Sequence, residues 1–183
     1  SECFRQDESL VYIESLPNSL QDMSYMCTSC FNFGATMPTI PNSVINMSWA
    51  FSACKKITSI PSIPDSVQDM SYAFMLSGSA TSIGNIGTGV TNMDMAFGST
   101  TQYYAGNIFI KSPNVTSCMG VFDPSGYMST YPVKNVYIPF TYENGVNSKT
   151  YNSCKKREFA NYCFGMRQSR LRDIEDIWGS KGI

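Results

Sequence analysis

LPNSLQDMSYMCTSC at residues 16–30, IPNSVINMSWAFSAC at 40–54 and IPDSVQDMSYAFMLS at 63–77 align without a gap. Two looser copies follow, IGTGVTNMDMAFGST at 86–100 and KSPNVTSCMGVFDPS at 111–125. Their shared apolar anchor is Leu20, Val44, Val67, Val90 and Val115, so the chain repeats in steps of 24, 23, 23 and 25 residues. A period of this length belongs to solenoids, in which each unit buries its apolar face only against its neighbours.

Three residues after each anchor stand Met23, Met47, Met70, Met93 and Cys118, and seven after it stand Cys27, Phe51, Phe74, Phe97 and Phe122. Offsets of 0, 3 and 7 share one face of a helix. Pro41-Asn42-Ser43 and Pro64-Asp65-Ser66 supply side-chain oxygens able to cap exposed amides at its start. The pattern therefore predicts a helix of about two turns in each copy, too short to be stable without its neighbours. Burying each Phe of the column contributes about 1.5–3 kcal/mol, so that column should hold the stack together.

The β-branched stretches at 57–63, 83–86, 107–110 and 135–138 predict short parallel strands. Pro38, Pro41, Pro61 and Pro64 cannot donate to a ladder and should keep the early ones very short. The expected fold class is α/β: a leucine-rich-repeat-like solenoid of about five repeats over residues 16–142, each a short strand plus a short helix. Residues 1–15 read as an N-terminal cap or partial repeat, and residues 143–183 as a C-terminal helical cap or association segment. Within the latter, residues 154–178 read as a helix carrying Phe159, Tyr162, Cys163, Met166, Ile174 and Ile177, with Gly165 as an interruption. That helix would cap the last repeat, join copies of the chain as a homo-oligomer, or dock on a larger assembly.

The runs IPNSV and IPDSV, together with Met70-Ser71-Tyr72-Ala73-Phe74 and the cysteine that follows the equivalent Phe51, resemble the BspA-type leucine-rich repeats of bacterial surface proteins. Similar runs occur in bacteriophage tail proteins. The resemblance spans residues 16–140, is close from Ile40 to Phe74, and loosens after Gly98, where Gln102-Tyr103-Tyr104 and the stretch 123–131 depart from it. It implies adhesion, ligand binding or virion attachment, with a protein or glycan on a cell surface as partner and an extracellular, cell-surface or virion location.

Composition narrows the alternatives. Charged residues make up 15% of the chain against 43% hydrophobic, and the net charge is −1. The basic residues are concentrated at 149–181, and the acidic body before them repels phosphates, so no nucleic-acid partner is expected. No stretch approaches the length of apolar sequence that a membrane helix needs. Seven cysteines cannot all pair internally.

Chemistry-bearing candidates are few. Cys27-x-x-Cys30 has the spacing of a zinc or thiol-redox pair, but the chain has no His and no second such pair, and both positions are explained as buried repeat positions. A Ser or Cys nucleophile would lack its usual base, so neither an enzyme nor a metal or cofactor is expected. Asp22 and Asp69 recur at one repeat offset and read as solvated helix positions.

Two binding surfaces remain. Tyr25, Trp49 and Tyr72 stand five residues after their anchors, roughly opposite the buried stripe, and a column of aromatics can grip a sugar chain or a protein. The alternative is that these rings merely pack on one another. The sheet face offers Thr58, Ser59, Ser62, Asn107, Phe109, Asn135 and Tyr137, those of them that point outward depending on strand register.

Overall fold

Backbone hydrogen bonds join each copy of the repeat to the next. Met47, Trp49, Phe51 and Ala53 donate their N–H groups to the carbonyls of Asp69, Ser71, Ala73 and Met75 over 2.7–2.9 Å. Met23, Tyr25, Cys27 and Ser29 donate in the same way to Asn46, Ser48, Ala50 and Ser52, and Met70, Tyr72, Phe74 and Leu76 to Asn92, Asp94, Ala96 and Gly98. Met93, Met95 and Phe97 continue the ladder to Ser117, Met119 and Val121. Glu2, Phe4 and Gln6 donate to Ser24, Met26 and Thr28, so the first residues run along the first copy in the same register. In every one of these rungs the earlier coil gives the N–H and the later coil the carbonyl. This computed structural model describes residues 2–34, 36–77, 80–98, 104–112, 114–121 and 133–137, with backbone alone for 104–109 and 133–137.

Between the rungs the chain closes two successive turns where short helices were expected. The N–H of Ala50 reaches the Met47 carbonyl at 3.1 Å and that of Cys54 the Phe51 carbonyl at 3.2 Å, and equivalent bonds recur in the neighbouring coils. The third residue of each turn lies in the left-handed region: φ is 56°, 59°, 58° and 50° at Tyr25, Trp49, Tyr72 and Met95, and 63°, 60° and 61° at Ser29, Ala53 and Leu76. No α-helix occurs among the described residues. The physical reason is that a helix needs successive N–H groups to bond within the segment, whereas here alternate ones are spent on the neighbouring coil.

The row expected to be solvated helix positions instead closes Asx turns. The Oδ1 atoms of Asp22, Asn46, Asp69 and Asn92 accept from the N–H groups of Ser24, Ser48, Ser71 and Asp94 at 2.9, 2.9, 2.8 and 3.1 Å. Parallel bridges connect these residues from Asp22 through Asn46, Asp69 and Asn92 to Ser117. Ser117 has no carboxyl or amide to offer, and the carboxylate of Asp94, one coil earlier, takes over: it accepts from the N–H of Met119 at 2.7 Å and from the Ser117 hydroxyl.

A second ladder is made of strands. β1 (Ser59–Ile60) pairs in parallel with β2 (Ser82–Ile83), and β3 (Tyr104–Phe109) with β4 (Val133–Tyr137). Single bridges tie Ile63 to Ile86 and Ile86 to Ile110. Pro61 and Pro64 follow β1, which is only two residues long.

The core runs along the stack. Val44, Val67 and Val90, with Met23, Met47, Met70 and Met93, are fully buried, as are Ile57 and Ile86. Phe33, Phe51, Phe74 and Phe97 form a column of stacked rings with centroids 5.5, 5.5 and 5.7 Å apart. Its member beside Phe51 is Phe33, not the aligned Cys27. Cys27 is buried at its expected place, but a thiol fills too little volume to reach the next ring, and Phe33 folds in from outside the aligned segment. Phe122 lies outside the described residues. In the fourth copy Gly87 replaces the proline of the earlier ones, and a Cβ there would overlap the backbone of Pro64.

Candidate functional site

The left-handed residue of the first turn projects away from the core, which is why this offset, outside the buried core, carries Tyr25, Trp49 and Tyr72. All three are half-buried. Their rings stack nearly parallel, Tyr25 on Trp49 at 5.9 Å and 6° and Trp49 on Tyr72 at 4.4 Å and 8°. The faces between the rings are therefore covered, and the edges form a ridge along the stack. At the Tyr25 end the Arg5 guanidinium lies 5.6 Å from the ring centroid, and its Nη1 bonds Glu2 Oε1 at 3.2 Å.

Alongside this ridge runs the Asx row. Asp22 is exposed, and the backbone N–H of Ser24 holds its carboxyl below the ordinary value of 3.8, so it is an anion at neutral pH. Asn92 Nδ2 reaches Asp69 Oδ2 at 3.5 Å. The ridge thus presents aromatic edges beside carboxylate and amide oxygens.

Thr58, Ser59 and Ser62 are exposed on the strand side, where their oxygens bond the next coil. Ser82 Oγ donates to Ser59 Oγ at 2.9 Å, Thr81 Oγ1 to the Thr58 carbonyl at 3.4 Å, and the Asn85 N–H to Ser62 Oγ at 3.2 Å. Phe109 and Tyr137 are register partners across β3 and β4, as are Asn107 and Asn135. The segment 154–178 lies outside the described residues.

The Cys27-x-x-Cys30 pair is drawn into the packing. Cys30 Sγ donates to the Phe4 carbonyl at 2.7 Å, and Cys54 Sγ to the Cys27 carbonyl at 3.1 Å. Burial pushes the Cys27, Cys30 and Cys54 thiols up, which keeps them protonated and poor nucleophiles. Among the described residues no group of three or more His, Cys, Asp or Glu is placed to hold a metal.

Sequence reasoning singled out the aromatic column but missed Arg5, whose place over Tyr25 follows from the register of residues 2–6. It also missed Thr81, Ser82 and Asn85, although Thr81-Ser82-Ile83 repeats Thr58-Ser59-Ile60 and was the available signal. Among the described residues no helix is long and apolar enough to cross a membrane. No protein-family model matches the chain, and no curated protein or solved structure is similar to it.

Proposed function

We propose that the chain is a non-enzymatic recognition module, a leucine-rich-repeat-like solenoid that binds a protein or glycan at a cell or virion surface. The observation that carries this reading is the ridge of Tyr25, Trp49 and Tyr72 at left-handed backbone positions. A non-glycine residue costs about 1–2 kcal/mol in that conformation, and Gly120 occupies the equivalent place one coil beyond Met95. Large rings retained there against such a cost point to use at the surface. The absence of His from the whole chain supports a non-catalytic role, and the resemblance to BspA-type repeats supports an extracellular setting.

A panel of glycans and host-cell surface proteins tests the reading with the intact chain and with Trp49→Ala. Reproducible binding that disappears in the variant is the expected result; binding indifferent to Trp49 would remove the ridge from the function.

The mutual stacking of the rings, at 4.4 Å between Trp49 and Tyr72, favours a second reading, in which the chain is a structural spacer or an assembly subunit of a larger particle without an external ligand. Silence across the panel, combined with a concentration-dependent oligomer, would favour that reading.

A further inference from the structure

We infer that Asn114 is an acceptor for an N-linked glycan and that the chain's other candidate acceptor, Asn46, is not. The inference rests on the surface setting proposed above, and on neither the ridge nor its ligand. An N-linked sugar is joined where Asn is followed two residues later by Ser or Thr, with any residue but Pro between them. The chain has two such triplets, Asn46-Met47-Ser48 and Asn114-Val115-Thr116. The motif treats them alike, and the fold separates them.

Asn46 is a member of the Asx row. It is half-buried, its Oδ1 closes a turn on the Ser48 N–H at 2.9 Å, and parallel bridges join it to Asp22 on one side and Asp69 on the other. Paired strands lie about 4.8 Å apart, so a sugar ring on the Asn46 carboxamide would have to stand between the side chains of the adjoining coils. Asn114 lies just before the anchor Val115, at the place that half-buried Ser43 and Ser66 fill in earlier copies. It is exposed, and its backbone N–H is held by Ser112 Oγ at 3.2 Å. Among the described residues nothing hydrogen-bonds its carboxamide. Val115 is buried, and beyond it exposed Thr116 is tied to the Thr91 carbonyl through its N–H at 2.8 Å and its Oγ1 at 3.1 Å. The backbone is thus fixed on either side of a carboxamide that faces solvent. A glycan here costs the stack no hydrogen bond and no buried contact.

The reaction is a group transfer from a sugar carried on a diphosphate. Asn114 Nδ2 attacks the anomeric carbon, and the N–C bond that forms replaces the C–O bond to the diphosphate. The diphosphate departs with the electron pair, and the proton lost from the carboxamide passes to a base of the transferase. With only 15% charged residues, the chain draws little solubility from ions, and a surface sugar supplies it.

The test expresses the full chain behind a cleavable secretory leader in cultured animal cells, beside the same chain kept in the cytoplasm. Only the secreted chain is expected to run more slowly on a denaturing gel. Peptide N-glycosidase should return it to the cytoplasmic mobility and leave Asp in place of the modified Asn, read by mass spectrometry of the peptide that contains it. Asn114→Gln and Thr116→Ala should abolish the shift, Thr116→Ser should keep part of it, and Asn46→Gln should leave it whole. Circular dichroism checks that each variant is folded. A secreted chain without a sugar, or a sugar that survives Asn114→Gln and disappears with Asn46→Gln, would overturn the assignment while leaving the surface setting standing. Sugar on both residues would overturn the exclusion of Asn46. Failure of parent and variants alike to reach the medium would overturn the surface setting and the glycan together.

Discussion

Phe74 is the ring whose loss should be felt most. It is fully buried and stacked on both sides, on Phe51 at 5.5 Å and on Phe97 at 5.7 Å. Deleting a buried Phe side chain costs about 3–5 kcal/mol, and each stacked pair adds about 0.5–1.5 kcal/mol beyond burial. Because the two terms overlap, Phe74→Ala should cost about 5 kcal/mol, comparable to the whole stability of a marginal domain. In a stack whose coils touch only their neighbours, that loss falls on one joint. The assay is urea unfolding followed both by far-ultraviolet circular dichroism and by Trp49 fluorescence in a Trp178→Phe background. The midpoint should fall sharply, and the two signals should separate as the coils on either side of the joint uncouple. Phe33, whose ring stacks on Phe51, should cost less when truncated, about 3 kcal/mol. A loss below about 1 kcal/mol for Phe74→Ala, or a larger one for Phe33→Ala, would refute the idea that the rings act as one continuous column.

Three further outcomes are expected. Cys27→Phe restores the residue that the repeat alignment favours, yet it should destabilise by about 1–3 kcal/mol because Phe33 already fills the space; combining it with Phe33→Ala should recover part of that loss in the same denaturation assay. Ala53→Gly should stabilise by about 0.5–1 kcal/mol, read as a higher midpoint, because φ there is 60° and the methyl group is strained. Acid should weaken the fold through Asp22 and Asp65, whose carboxyls are lowered from the usual 3.8 by the N–H groups of Ser24 and Thr88 respectively. Their contribution is present above that value and is lost as pH falls through the lowered folded-state values. Asp22→Asn with Asp65→Asn should therefore flatten the drop in melting temperature below about pH 4.

What could be read from the sequence was the inward-facing set. Anchors such as Val44 and Val67, the methionines three residues on and Phe51, Phe74 and Phe97 seven on point inward in a pair of tight turns as they would in a helix, so periodicity found them without discriminating between the two conformations. The turns themselves were hidden because the described residues at their left-handed positions are Glu, Gln, Tyr, Trp, Ser, Ala, Leu and Met, none of which advertises that backbone, with Gly only at Gly120. Phe33 stayed hidden because it sits outside the aligned segment, and a ring that fills a gap left by Cys27 can be found only from packing. The outward aromatic column was legible because its offset is constant, whereas the covering of its faces depends on how closely the coils approach, which no spacing in the chain records.

The repeated ladder has a bearing on how such a chain can change length. Since successive coils repeat the same pattern of donors and acceptors toward their neighbours, removing a whole unit of 23 residues from the middle should bring together two surfaces that already match. Duplication of a unit is tolerated for the same reason. Copy number is thereby uncoupled from fold, and a lineage could lengthen or shorten the aromatic ridge to suit a partner's size without redesigning a single joint.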